Sequence, residues 1–354
     1  MDRKRDRDEA FQNTQSSNSV VEKSKREPHP RNVLRGEIDF QSLRQTYPEL
    51  TKYLLWSKTE PMKRSNHYNW NDRDALICLT DVLLRHHFQL RVELSHEHLT
   101  PRLTLRLNYI HFLEDLLTAQ GIDWSATAET SVHGVDIGTG STLIYPLLWK
   151  RLHPHMRLMA TEISKSSYDL AVNNLKTNAA VLSGQSSVMP QIETTNRFKC
   201  VDIDIRHVAT SDDDSNNDVM SDCAVDCNAP PMLASVMRRD ETALFCMCNP
   251  PFFGSNRAKA RRARRGFRAK AGEVVTDGGE VTFIGKLIDE SLQLRQRVCI
   301  YSSMVGCERS LRVLQQRLTE SSDVESHGVA MLCQGKTFRH VLWWKVVATA
   351  AETR

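Results

Sequence analysis

The chain has 354 residues, of which 40% are hydrophobic, so it can bury a substantial core as one large domain or two smaller ones. Its 47 lysines and arginines against 43 aspartates and glutamates leave a net charge of only +4. Any preference for nucleic acid must therefore come from local clusters of basic residues. No apolar run reaches the roughly 20 residues that a membrane-spanning helix needs, and the polar start of the chain is unlike a secretory signal.

Nine cysteines are scattered along the chain, and none of them forms the C-x-x-C pattern of a zinc site. We expect reduced thiols in an intracellular protein, because disulfides persist mainly in oxidising compartments. Cys223 and Cys227 could hold a metal, but two ligands in an acidic loop are a weak signal. We therefore predict no metal site.

The first third of the chain predicts a polar tail followed by a small, mainly helical module. Helical spacing of apolar residues begins after an N-cap at Asn71 or Asp72 and returns at 107–117. A short strand-like stretch at 90–94 lies between the two helices. We assign three regions in chain order: a disordered tail at 1–28, a helical module at 29–125 and an α/β domain at 126–354.

Beyond residue 126, short apolar runs alternate with helical patterns, which predicts a mostly parallel sheet with helices on both faces. The predicted strands are 132–137, 158–162, 198–203, 244–248, 298–302, 329–333 and 340–347. The last two have no full helix between them, so we expect one of them to run antiparallel. Segment 208–230, rich in Asp, Ser and Asn, and the Arg-rich segment 254–278 are predicted loop insertions.

The first motif with chemical meaning is V-D-I-G-T-G, which contains Gly138 and Gly140 and follows the first strand of this sheet. Glycines there let backbone amides and the next helix's N-terminus approach a ligand closely. Glu162 ends the second strand, where a carboxylate can accept hydrogen bonds from both ribose hydroxyls of a nucleoside. The motif lacks the third glycine of the dinucleotide fingerprint, which disfavours NAD. An ordinary strand-to-helix turn beside an incidental acid is the alternative.

The second motif is N-P-P-F-F, at residues 249–253, directly after an apolar strand. The Asn249 side-chain oxygen and the Pro250 carbonyl can each accept one N–H of a planar amine, and the prolines fix the backbone. An aromatic ring can stack on a base removed from its helix. Positioning and electrostatics then do the work without a strong base. The predicted catalytic residues are Asn249, Pro250, Pro251, Phe252 and Phe253. A plain turn is the alternative.

The third feature is a basic run between Arg257 and Lys270 that contains no acid. Such a run suits phosphate neutralisation, and Phe267 within it could stack on a base. A nuclear address or a solvated loop remain alternatives. The predicted RNA-binding residues of this run are Arg257, Arg261, Arg262, Arg264 and Arg265.

In these motifs the chain resembles the methyltransferase-like 16 family of U6 small nuclear RNA adenine methyltransferases, and more distantly a bacterial 23S ribosomal RNA adenine methyltransferase. The stretches R-L-N-Y-I-H at 106–111, D-I-G-T-G, A-T-E at 160–162, C-N-P-P-F-F and C-Q-G at 333–335 carry the resemblance, which covers roughly residues 29–347. It implies a class I, Rossmann-like methyltransferase fold with a mostly parallel seven-stranded sheet and a helical N-terminal module.

The resemblance also implies roles for individual residues. The family's contacts with S-adenosylmethionine fall on Arg106, Gly138, Gly140, Glu162 and Asn249. Among these, Arg106 would reach the cofactor's carboxylate from the helical module. Asp202, near the end of the predicted third strand, is a weaker candidate for an adenine-side contact. Arg31 lies in a segment similar to the family's basic RNA-entry segment, so we predict that Arg31 binds RNA.

We therefore expect an enzyme that methylates the exocyclic amine of a flipped adenosine in a structured RNA, with U6 small nuclear RNA as the favoured substrate. The resemblance further implies a monomer in the nucleus, with the cytoplasm as an alternative. Two other functions stay open. One is methylation of a DNA or protein-glutamine amine, and the other is non-catalytic RNA binding on the same fold.

Overall fold

The structure is a computed structural model, and it describes residues 27–56, 64–125, 132–208, 232–250, 279–335 and 337–348. Within these ranges no helix is long and apolar enough to cross a membrane. The predicted tail at 1–28 and the predicted insertions at 208–230 and 254–278 lie almost wholly outside the described residues.

The N-terminal part is mainly helical, as predicted, but it also contains a β-hairpin that the sequence pattern did not indicate. Asp39 and Asp72 cap the first two helices, because each side chain accepts hydrogen bonds from two backbone amides of the first turn. Asp72 thus confirms the predicted N-cap. The elements are α1 (Phe40–Thr46), β1 (Leu54–Trp56), β2 (Arg64–Tyr68), α2 (Arg73–Leu83) and α3 (Leu103–Ala119).

The predicted strand at 90–94 is wrong, since this segment has no regular secondary structure. Asparagine side chains replace the hydrogen bonds of a neighbouring strand. Asn178 Oδ1 accepts from the Arg91 amide and Asn174 Oδ1 accepts from the Glu93 amide, both at 2.8 Å. The apolar alternation of the segment reflects burial of Leu90 and Val92 rather than sheet pairing.

A nine-stranded sheet follows, in the order β10-β11-β9-β8-β3-β4-β7-β6-β5. Its strands are β3 (Val132–Ile137), β4 (Leu158–Glu162), β5 (Ile192–Thr194), β6 (Arg197–Cys200), β7 (Ile203–His207), β8 (Ala243–Cys248), β9 (Val298–Val305), β10 (Val324–Gln334) and β11 (Thr337–Val346). Strands β7, β4, β3, β8 and β9 are parallel, and β11 is antiparallel to both of its neighbours. The expected mostly parallel sheet of seven strands is therefore present, and β6 and β5 extend it.

The prediction of one strand at 198–203 is wrong, because this apolar run contains the end of β6 and the start of β7. The chain reverses at Val201 and Asp202, whose φ angles are +46° and +59°, and β6 pairs antiparallel with β7. Asp202 therefore lies at the amino end of β7, where it forms an ion pair with Lys150 at 2.9 Å. Glu162 pairs in register with His207 at the other end of β7. The prediction that Asp202 contacts an adenine ring is wrong.

Helices cover both faces of the sheet, as predicted. The remaining helices are α4 (Ile144–Leu152), α5 (Lys165–Ser183), α6 (Gly279–Leu294) and α7 (Glu308–Glu320). One hydrophobic cluster joins α3, α4 and α5 to one face through residues such as Leu107, Leu147 and Leu175, and it continues into the N-terminal module. A second cluster joins α6 and α7 to the other face through Ile284 and Leu314. The division at residues 125 and 126 stays a prediction.

Candidate active site

The predicted site residues meet where the strand order reverses. The chain passes from β3 to β4 on one side and reaches β8 on the other, and open α/β sheets bind ligands at the carboxyl ends of the strands at such a point. Ile137 pairs with Thr161 of β4 and with Cys248 of β8. The next residue in each strand or turn is Gly138, Glu162 or Asn249. The structure therefore brings these three predicted residues to one edge of the sheet.

The glycine turn after β3 is held against Glu162. Gly138 and Gly140 both have φ of +67°, a conformation that other residues rarely adopt. The Gly140 amide donates to one oxygen of Glu162 at 2.8 Å, and the Ser164 amide donates to the other at 2.9 Å. A carboxylate oxygen can accept more than one hydrogen bond. Glu162 is thus a fixed acceptor of the kind that ribose hydroxyls require.

Asp136, to which the sequence pattern assigns no role, lies in β3 two residues before Gly138 of this edge. It is 4% exposed, and its Oδ2 has no hydrogen-bond partner. Burial raises the pKa of Asp136 to about 7, although the positive charge of Arg106 opposes that rise. The sequence signal that could have identified Asp136 is an ionisable residue in a mainly apolar strand, shortly before the glycines.

Arg106 reaches the same region from α3. Its Nη1 donates to the Tyr145 hydroxyl at 2.8 Å, and its guanidinium lies 5.0 Å from the centre of the Tyr145 ring. Its Nε is buried without a hydrogen-bond partner. None of the described carboxylates forms an ion pair with Arg106. A half-buried cation in this state suits an anionic group of a ligand, such as a carboxylate.

The start of N-P-P-F-F is also attached to α3. The buried Tyr109 hydroxyl lies 2.8 Å from Ser302 Oγ, and the Cys248 amide donates to the same hydroxyl at 3.5 Å. Ser302 Oγ in turn donates to the Cys246 carbonyl at 2.7 Å. Asn249, directly after Cys248, is half-buried, and Pro250 is buried. The helix therefore fixes the backbone that presents the Asn249 side chain.

Several polar atoms at this edge are buried and lack partners, which is the condition expected of a ligand site. They are Arg106 Nε, Asp136 Oδ2 and Thr139 Oγ1, the last two close enough together for the Thr139 hydroxyl to lower the pKa of Asp136 without a hydrogen bond of normal geometry. Together with Glu162 they offer acceptors for hydroxyl and amine groups and a cation for a carboxylate. The set fits a nucleoside that carries an amino-acid group. Cys248 is no nucleophile here, because burial raises its pKa well above the ordinary value.

Arg31, in the N-terminal segment, contacts α3 at a different place from Arg106. Its guanidinium pairs with Glu114 at 2.8 Å and with Asp115 at 2.7 Å. These acids follow Arg106 by eight and nine residues, or about 12–14 Å along the helix axis. Arg31 is half-exposed, so its predicted RNA contact stays a prediction, but the structure does not bring it beside Arg106.

The structure adds a buried charge cluster that the sequence pattern did not reveal, here called the Glu114 cluster. Glu114 is 5% exposed at its side chain and contacts His111 Nδ1 at 3.0 Å, His153 Nε2 at 2.7 Å and Arg31. The hydrogen bonds from these histidines outweigh burial and lower the pKa of Glu114 to about 2. The cluster joins the N-terminal segment, α3 and the end of α4.

Some predictions fall outside the described residues. These are the roles of Pro251, Phe252, Phe253, Arg257, Arg261, Arg262, Arg264 and Arg265, and the weak metal signal of Cys223 and Cys227. Seven cysteines of the described ranges are free thiols. In the same ranges no group of three or more His, Cys, Asp or Glu residues is arranged to hold a metal ion.

Known proteins with similar sequences form one family, which the chain matches over most of its length. The sequence model of a family described as RNA methyltransferase matches residues 22–207 and 209–348. A Caenorhabditis elegans relative, named U6 small nuclear RNA (adenine-(43)-N(6))-methyltransferase, is 31% identical over 341 residues, which are 90% of this chain and 62% of the relative. Human RNA N(6)-adenosine-methyltransferase METTL16 is 30% identical over 326 residues, which are 89% of this chain and 50% of the relative.

Solved structures show the same fold. The human METTL16 catalytic domain in complex with MAT2A 3′UTR hairpin 6 has a TM-score of 0.67 and 28% identity, and the match covers 91% of this chain and 100% of that chain. The N-terminal domain of human METTL16 in complex with SAH has a TM-score of 0.64 and 29% identity, covering 91% and 99%. The chain spans only about half to three fifths of the length of the curated relatives cited above.

Proposed function

Because the chain belongs to this RNA methyltransferase family, we propose that it transfers a methyl group from S-adenosylmethionine to the exocyclic amine of an adenosine in a structured RNA. One observation carries the proposal. The glycine turn, Glu162 and Asn249 lie side by side at the carboxyl edge of three adjacent parallel strands, with Arg106 supplied from α3.

The residues at this edge fit S-adenosylmethionine group by group. Glu162 would accept hydrogen bonds from the ribose hydroxyls, and Arg106 would bind the carboxylate of the amino-acid part. The glycine turn lets the backbone approach the ligand without a Cβ in the way. The cofactor supplies an electrophilic methyl group on a sulfonium centre. A related human structure contains SAH, which supports this choice of cofactor.

Asn249 and Pro250 would hold the adenine amine. The side-chain oxygen of Asn249 and the carbonyl of Pro250 each accept one N–H, which fixes the nitrogen lone pair in the direction of transfer. The methylated amine is a strong acid until it loses its extra proton, so no strong base is required. Tyr109 and Ser302 keep the strand end in place during this step.

We further propose that the substrate is a small nuclear RNA of the U6 type, with the nucleus as the place of action and a monomer as the working form. The names of relatives from Caenorhabditis elegans and Dictyostelium discoideum support the U6 assignment. The family resemblance supports the compartment and the monomer.

The test is transfer of labelled methyl from S-adenosylmethionine to total cellular RNA, followed by digestion to nucleosides and separation by mass. We expect the label in N6-methyladenosine, concentrated in a small nuclear RNA. Label on DNA or on a glutamine amide instead would replace the RNA assignment with the corresponding alternative. Cofactor binding without transfer to any of these would contradict the proposed activity.

A further inference from the structure

The glycine turn between β3 and α4 has a backbone that its own sequence does not favour. Besides Gly138 and Gly140, Leu143 has a left-handed conformation, with a φ angle of +52°. A residue with a Cβ rarely adopts this conformation, because the Cβ comes too close to the following carbonyl oxygen. Leu143 is also the N-cap of α4, and a leucine side chain cannot accept hydrogen bonds from the first amides of a helix. Contacts from outside the turn must therefore hold it in this shape.

Two different elements hold adjacent peptide groups of this turn. On the side of β4, the Gly140 amide donates to Glu162 at 2.8 Å. On the side of α5, the Nδ2 of Asn174 donates to the Ser141 carbonyl at 2.9 Å, in buried surroundings. A buried carbonyl that loses its donor costs more free energy than the hydrogen bond itself contributes. The Asn174 amide is thus the counterpart of Glu162 on the other side of the turn.

Asn174 uses both ends of its amide. The residue is 2% exposed, and its Oδ1 accepts from the Glu93 amide at 2.8 Å while its Nδ2 donates to Ser141. Segment 90–94, to which Glu93 belongs, precedes α3, the helix that carries Arg106. One buried side chain therefore fixes the glycine turn relative to the segment that leads into the second cofactor-facing element.

Asn178, one helical turn further along α5, provides an internal comparison. It is 1% exposed, and its Oδ1 accepts from the Arg91 amide at 2.8 Å. Its Nδ2 donates to the carbonyls of Arg91 and Asn174, both at 2.7 Å. The two asparagines therefore hold the same segment through the same kind of contact. Of the two, it is Asn174 whose amide bonds to the glycine turn.

We propose that Asn174 is a positioning residue for cofactor binding, which acts on the glycine turn through the Ser141 carbonyl. Its effect reaches the cofactor through the backbone of the turn and not by direct contact. The inference rests on the proposed function for its choice of S-adenosylmethionine as the ligand. It adds that a buried side chain outside the recognised motifs sets the fraction of molecules whose turn is ready to bind.

The test compares Asn174→Asp with Asn178→Asp by calorimetric titration of S-adenosylhomocysteine. Each change replaces an amide nitrogen with an oxygen of similar size, so each variant keeps the acceptor for segment 90–94 and loses the donor. Asn174→Asp should bind about 5- to 10-fold more weakly than Asn178→Asp, because loss of one hydrogen bond lowers the population of the competent turn by about that factor. Equal affinities in the two folded variants would overturn the inference.

Steady-state kinetics separate positioning from a loss of stability, with a transcript of U6 small nuclear RNA as the methyl acceptor. In Asn174→Asp the KM for S-adenosylmethionine should rise about 5- to 10-fold, whereas kcat and the KM for RNA should stay within about twofold of Asn178→Asp. A destabilised enzyme has fewer active molecules, which lowers the apparent kcat and leaves both KM values unchanged. That pattern in Asn174→Asp would contradict a positioning role.

Alanine variants keep the test valid if a buried aspartate prevents folding. Asn174→Ala and Asn178→Ala introduce no charge, and the same difference in affinity is expected between them, with urea unfolding to show that both are folded. Absence of binding in wild type would overturn the proposed function and this inference with it. Binding by wild type with equal affinities in the paired variants would overturn only the role of Asn174.

Discussion

Two regions along α3 differ in whether their buried polar groups have hydrogen-bond partners. Near the start of the helix, Arg106 and the Asp136 carboxyl on which its charge acts each have a buried polar atom that lacks a hydrogen-bond partner. Near its end, Glu114 has three cationic or hydrogen-bonding partners, and Asp115 shares Arg31 with it and pairs with His29. Burial alone therefore does not mark a functional site. Buried polar groups without hydrogen-bond partners indicate a ligand site, whereas buried polar groups with partners indicate contacts that hold the fold together.

The largest expected effect comes from Asn249→Ala. Removing an acceptor that positions the amine should reduce methyl transfer by about 100- to 1000-fold, by analogy with removal of one oxyanion-hole donor. The melting temperature should stay near that of wild type, because no described side chain bonds to Asn249. Rates from labelled methyl transfer, with the exposed Asn173→Ala as control, check this. A normal rate would contradict the role of Asn249.

Glu114→Gln tests the other region. The pKa of Glu114 is lowered from 4.5 to about 2, so its stabilising contribution is present above pH 4.5 and is lost as the pH falls towards 2. That contribution amounts to about 3 kcal/mol. In the variant this part of the acid dependence of the unfolding free energy should disappear.

Urea unfolding at a series of pH values measures the effect of Glu114→Gln. Glu308→Gln is the matched control, because that exposed glutamate pairs with Arg312 along α7 and the variant should change stability by less than about 1 kcal/mol. An identical acid dependence in wild type and Glu114→Gln would show that the Glu114 cluster does not stabilise the fold.

Arg106→Met tests the catalytic region of this comparison through cofactor binding. Loss of a charged hydrogen bond to the cofactor carboxylate should weaken S-adenosylhomocysteine binding by about 10- to 100-fold, or roughly 1.5–3 kcal/mol. Stability should fall less than in Glu114→Gln, because none of the described carboxylates forms an ion pair with Arg106 and burial already favours the neutral form of the nearby Asp136. Calorimetric titration measures the affinity. Full affinity in a folded variant would show that the carboxylate binds elsewhere.

Asp136→Asn should have the smallest effect in the range from about pH 6 to pH 8, because most of the stability change that its titration causes falls between pH 3.8 and about pH 6. Burial raises the pKa of Asp136 from 3.8 to about 7, so its contribution to stability is complete below pH 3.8 and is lost as the pH rises through 7. The unfolding free energy of wild type should therefore fall by about 1 kcal/mol between about pH 6 and pH 8, and the variant should lack this slope. The exposed Asp169→Asn serves as control, and an unchanged slope in Asp136→Asn would contradict the assignment.

The sequence predicted the catalytic edge better than its surroundings. Gly138, Glu162 and Asn249 each follow an apolar run that could only be a buried strand, and the carboxyl ends of parallel strands meet. The third strand was misplaced because one apolar run, 198–203, spans a tight reversal at Val201. Segment 90–94 has the alternation of apolar and polar residues that is typical of a strand, but it has no neighbouring strand. Whether such a segment pairs with another strand depends on tertiary contacts, which the local sequence does not show.

The Glu114 cluster and the contact of Asn174 with the glycine turn were beyond sequence reasoning for a different reason. The partners of Glu114 come from 83 residues before it (Arg31) to 39 residues after it (His153), and no local pattern links such positions. The Asn174 amide likewise contacts a carbonyl 33 residues before it. Asp136, by contrast, stood inside a recognised motif and could have been identified by its position in an apolar strand.

Titration of S-adenosylhomocysteine into wild type and Glu162→Gln tests whether the carboxyl edge binds the cofactor. We expect one site per chain and at least about tenfold weaker binding in the variant, since a glutamine at this position cannot accept from the Gly140 amide, the Ser164 amide and the ribose together. Glu193→Gln, an exposed glutamate paired with Lys176, should bind normally. Equal affinity in wild type and a folded Glu162→Gln would place the cofactor away from the carboxyl edge and contradict the account.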